Sequence, residues 1–173
     1  MVSLYGAVVP SFQQILGSVA GLLDKAEEHC RATALDPEAL IQARLIGDML
    51  PFAYQVKSVA VHSRDAIEGV REGRFSPDRS EPPTTFEGLR ARVADARAFV
   101  DALAEEEVNG LAGKPIRFAI GDRFTRDYHA EDFLLSFSLP NFYFHAATAY
   151  DILRANGVAI GKVDYLGRTR TIS

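Results

Sequence analysis

The sequence predicts an all-α protein, a four-helix bundle with one small β-hairpin ahead of its last helix. Three observations carry this expectation. Four long segments repeat apolar residues at three- and four-residue steps, the period that lines one face of an α-helix. A proline-rich polar stretch, GRFSPDRSEPPTT at 73–85, separates the second segment from the third and is long enough for a crossover. The one alternating stretch, IRFAIGDRFT at 116–125, is too short to fold alone and must lean on helices.

The first helix is read from Phe12, Ile15, Leu16, Val19, Leu22, Leu23 and Ala26, with Pro10 near its start, where proline is tolerated in a first turn or bends the chain. The second opens at Asp36-Pro37-Glu38, a capping residue followed by proline at the first helical position. Its seam is Leu45, Met49, Phe52, Val56 and Val59, running on to about Gly69, with a kink expected one turn before Pro51. The third starts at a capping box in which Thr84 caps and Glu87 reaches back. Phe86, Leu89, Val93, Ala96, Val100 and Leu103 follow as its buried stripe.

The hairpin pairs 116–120 with 123–125 around Gly121-Asp122. The fourth helix covers about 130–156 and is apolar around most of its circumference, as a central helix should be. Pro140 kinks it and frees the carbonyl of Ser136, and Gly157 stops it. The tail after 157 has no helical period and reads as irregular or a short strand, with Lys162 and Asp164 as a terminal ion pair. Length and pattern give one domain over 1–173.

With 47% hydrophobic and 24% charged residues the composition is that of an ordinary soluble protein. A formal net charge of −4 supplies no basic field for nucleic acid. One cysteine, Cys30, excludes a disulfide framework and a cysteine-based zinc cluster, and its place on a helix end reads as an inert thiol. No apolar run approaches about 18 residues, so a cytoplasmic chain that does not enter the membrane is expected. Walker, nucleophile-elbow and dinucleotide-binding sequences are absent.

Chemistry concentrates where polar residues lean inward. Asp48, Gln55 and His62 are spaced by seven, which stacks them two turns apart at the boundary of the second helix's apolar seam. Asn141, His145 and Thr148 form a second polar stripe, with His145 among Phe142, Tyr143 and Phe144, where no ordinary solvated face exists. Tyr150 lies nearby as a further pocket candidate. Converging stripes make a pocket between helices, the place where bundles hold ligands and metals. Three readings stay open: a structural network in which Asp48 or Gln55 orients His145, a metal-free small-molecule pocket, and a divalent metal site on His145 and Asp48 with Asn141 or His62.

The stretches IGDMLPFAYQV at 46–56 and LPNFYFHAATAYDILRANGVAIGKVDYLG at 139–167 resemble the distinctive segments of an uncharacterised bacterial family within the DinB/YfiT-like superfamily. That resemblance implies a DinB-like four-helix bundle, often a homodimer. It also implies a metal such as zinc or nickel held by one histidine on the second helix and two on the fourth. Some superfamily members are thiol-dependent transferases using mycothiol or bacillithiol. Carried over, Asp48 falls about where the second-helix histidine is expected and His145 matches one fourth-helix ligand, with Asn141 or Ala149 in place of the other. Two of three ligand positions therefore depart from the triad. The resemblance implies a degenerate metal site in a protein that binds a small molecule or is structural, or else an enzyme working with an incomplete ligand set.

Overall fold

The computed structural model describes residues 2–172. Helix α1, Leu4–Thr33, begins where the Ser3 side chain accepts from the Gly6 amide at 3.1 Å and ends on Ala34 in the left-handed region. By length and hydropathy alone it could cross a membrane. The residues that make it apolar, among them Phe12, Ile15, Leu16, Val19, Leu22 and Leu23, are instead buried in the protein core. Cys30 is buried there too, and burial pushes its thiol pKa upward.

The second helix departs from its expected bounds. Helix α2 is short, Pro37–Ile41, capped by Asp36, and an irregular segment follows over 42–51. Helix α3 starts only at Phe52 and spans Phe52–Ala60. It continues without a break through a π-helical turn, Val61–Asp65, into α4, Ala66–Glu72, which ends on Gly73 at φ +73°. Pro51 is the cause of the late start. It disfavours helical backbone at Leu50 and offers no N–H to a preceding turn, so the chain breaks there instead of kinking. Leu45, expected in the seam, is exposed.

Helix α5, Phe86–Asp101, carries the predicted stripe, with Phe86, Leu89, Val93, Ala96 and Val100 buried. Its cap lies one residue later than expected: the Thr85 hydroxyl accepts from the Gly88 amide at 3.1 Å, and with glycine at the third position no capping box forms. A short α6, Glu105–Asn109, leads to the strands. The fourth helical run is α7, Ala130–Asp132, a π-helical turn, Phe133–Ser138, and α8, Leu139–Ala155, closed by Asn156 and Gly157 at φ +82°. The tail is not irregular throughout: Lys162–Leu166 forms α9 against α1. There Asp164 pairs with Lys25 at 2.6 Å and not with Lys162.

The expected hairpin is part of something larger. Strands β2, Pro115–Ile120, and β3, Phe124–His129, are antiparallel, and β1, Arg74–Phe75, joins β2 in parallel with Phe75 opposite Phe118. The sheet is thus mixed, three-stranded and ordered β1-β2-β3. Gly69 permits the tight turn-in of β1, since a Cβ there would lie 2.9 Å from the Arg74 carbonyl oxygen and 3.1 Å from Phe75 Cβ. One apolar core joins all four long helical runs with the sheet, from Phe12 and Phe52 to Phe133 and Phe142.

Replacing Thr85 by alanine removes the only side-chain cap of α5 and should lower unfolding free energy by about 1 kcal/mol in a denaturant titration, whereas Thr84→Ala should leave it within about 0.5 kcal/mol.

Candidate functional site

The pocket forms where α3 and its π turn face the fourth helical run. Gln55, one turn into α3, donates from Nε2 to the Leu50 carbonyl at 2.8 Å and faces His145 Nδ1 with Oε1 at 2.7 Å. The Leu50 carbonyl can only accept, which fixes the amide's orientation; Oε1 can only accept, which fixes the imidazole's. His145 therefore carries its proton on Nδ1 and presents a lone pair on Nε2.

His62 lies on the π turn two helical turns beyond Gln55. Its ring is near-parallel to that of His145, at 15° with centroids 5.6 Å apart, and leans on Phe75 and Phe137. It is 9% exposed, and its Nδ1 is buried without a hydrogen-bond partner. Burial, then the neighbouring His145, pushes His62 down to about 3, and burial pushes His145 down to about 4. Both rings are neutral at pH 7 and weak as bases.

Two π turns set this geometry. A π turn inserts one residue into the helical ladder and re-aims the side chains around it, and such turns recur at functional sites. Here they are joined directly, since Ser138 Oγ donates to the His62 carbonyl at 2.9 Å inside the core. Asn141, just after Pro140, uses its amide to donate to the Phe137 carbonyl at 2.7 Å.

The loop 76–85 closes the pocket through Lys57, a lysine whose side chain is only 3% exposed. Its ammonium donates to the carbonyls of Asp78, at 3.1 Å, and Ser80, and lies 3.3 Å from the Asp78 carboxylate. Burial opposes ionisation of Asp78, but hydrogen bonds from Ser80 and Lys57 hold its carboxyl below the usual range. Arg92 links that carboxylate, at 3.6 Å, to Asp65, at 2.7 Å. The enclosed space is about 180 Å³, walled by Tyr54, Ser58, Phe75, Phe137 and the two histidines. Tyr54, Pro77 and Asp78 also border a wider cleft of about 640 Å³.

Of the residues singled out from the sequence, the fold brings together Gln55, His62, Asn141 and His145. Asp48 is not among them: it sits exposed on the irregular segment before α3, because the helix on which it was to stack begins four residues later. Tyr150 faces elsewhere and packs against Tyr165. Sequence reading passed over Tyr54, Lys57 and Asp78; a lysine inside the apolar run QVKSVAV was the available signal for the second. The set does not fit a three-histidine metal centre. Among the described residues no three His, Cys, Asp or Glu side chains gather to hold an ion, and the Asn141 amide is engaged with backbone.

The model of a family described as a domain of unknown function, DUF1993, matches residues 4–166. The chain belongs to that family. Among curated proteins none matches it significantly. The crystal structure of a DinB family member from Shewanella denitrificans is similar to this DUF1993 chain over 98% of its length and 95% of the other, with a TM-score of 0.84 and 28% identity. The DUF1993 fold is thus DinB-like, mostly helical with a small sheet.

Two outcomes follow from the histidine pair. His145→Ala leaves the buried Gln55 carbonyl without its donor and should cost about 1–3 kcal/mol of unfolding free energy. Both folded pKa values lie below the ordinary 6.5, so on acidification the unfolded chain takes up protons that the native one refuses. Their contribution to stability is complete above pH 6.5 and is lost as pH falls toward about 4 and then 3. A melting series from pH 7 to 5 should show a falling midpoint, with a shallower fall in His62→Phe.

Proposed function

We propose that this DUF1993 protein is a soluble, cytoplasmic small-molecule-binding protein built on a DinB-like four-helix bundle, with a degenerate metal site as its pocket. The observation that carries this reading is the His145 imidazole, locked by Gln55 so that a lone pair is directed away from its only protein partner, beside a buried His62 whose Nδ1 has none. The wider cleft gives the pocket a route to solvent.

Binding is favoured over catalysis by the electrostatics. Rings held neutral far below pH 7 are poor general bases. Ser58 shares the pocket, yet neither ring hydrogen-bonds its hydroxyl. Homodimer formation is part of the proposal and is supported by Leu135 and Phe144, which stand 42% and 54% exposed along the fourth helical run. The apolar face of α1 gives it no support, because that face is used within the chain's own core.

Elemental analysis of protein purified without a histidine tag tests the reading. Far less than one zinc, nickel or iron per chain is expected, with light scattering giving twice the chain mass. Stoichiometric metal that disappears in His145→Ala would instead establish the metal-dependent alternative, an enzyme whose ligand set is completed by water or substrate.

A further inference from the structure

We propose that the head group this pocket takes is an uncharged, flat nitrogen heterocycle that donates an N–H to His145 Nε2; this rests on the binding reading above. The argument begins with the tautomer. Gln55 cannot reverse without breaking its bond to the Leu50 carbonyl, so Nε2, the His145 nitrogen left without a protein partner, is an acceptor and asks for a donor. A neutral His62 lies beside it, its ring near-parallel to that of His145, with Nδ1 sealed in the core and without a hydrogen-bond partner.

Charge then excludes ions as the head. The one ionised group lining the space, Asp78, is already paired with Lys57 and Arg92, and Arg92 in turn holds Asp65. An anion would meet two lone-pair-bearing imidazoles and no free cation, while a cation would meet no free carboxylate, and either would lose its hydration. Shape adds planarity. Tyr54, Phe75 and Phe137 join the near-parallel histidines as aromatic walls, and aromatic surfaces accept flat rings in stacked or edge-on contact. The space of about 180 Å³ is the size of a single ring, given that an apolar cavity of about 150 Å³ takes up benzene. Substituents on that ring would extend past Tyr54 and Pro77 into the wider cleft.

Three probes decide the matter by calorimetry and by NMR of the histidine rings. They are 2-pyridone, a neutral ring with an N–H; 1-methyl-2-pyridone, which lacks only that donor; and benzoate, which is charged. Binding of 2-pyridone that shifts the His62 and His145 signals is expected, with the methylated ring and benzoate at least about tenfold weaker, because the desolvated Nε2 is then left unsatisfied. His145→Phe, which keeps an aromatic wall, should bring the two pyridones to within about threefold of each other. Equal binding of the two pyridones to the unaltered protein, or tighter binding of benzoate, would overturn the inference while leaving a binding pocket. If no probe moves either ring's signals at millimolar concentration, both the binding reading and this inference fall.

Discussion

The pocket depends on one side chain being held at both ends. Gln55 spans from the Leu50 carbonyl to the His145 ring, and each bond explains the other. Its origin is Pro51. Because α3 starts after this residue, the Gln55 backbone amide bonds the Pro51 carbonyl, and the Leu50 carbonyl lies just outside the helical ladder. That carbonyl is free to accept a side-chain donor, and a glutamine one turn later has the reach to supply it. Satisfying that carbonyl turns the glutamine's oxygen toward the fourth helical run, which fixes the imidazole's proton and so the character of the cavity.

The second organising device is the pair of π turns. An unbroken α-helix through 61–65 and 133–138 would rotate His62 and Phe137 relative to their neighbours, and the Ser138–His62 bond shows that the two irregularities are fitted to each other. The DinB family member from Shewanella denitrificans shares the overall arrangement at 28% identity. In this chain the carboxylates near the cavity are bound to lysine and arginine and are not available as ion ligands.

Much of this was legible in the chain. Regular apolar spacing located α5 closely and the buried face of α1, although α1 starts at Leu4 and holds Pro10 inside it and not near its start. His145 meets Gln55 between helices, although Tyr143 and Phe144 beside it are exposed. The seven-residue spacing of Gln55 and His62 held because both lie on one continuous run. It failed for Asp48 because spacing arguments assume a helix, and Pro51 ended that helix on the wrong side of the aspartate. Local pattern also could not reveal the parallel β1, whose two residues gain their partner from a segment some forty positions away. Nor does any period announce a π turn or a buried lysine, since both are fixed by tertiary neighbours.

That distant pairing has a bearing on how the protein comes into being. Phe75, one wall of the cavity, is set in place by two residues whose partner strand is synthesised only after the whole of α5 and α6. Hairpin closure between β2 and β3 is local and fast, but bringing β1 alongside requires a long intervening chain to be ordered first. A nascent chain ending before β2 can bury much of α1 and α5 yet has no strand on which to seat that phenylalanine. The wall that Phe75 gives the cavity therefore depends on a contact that local chain segments cannot make by themselves.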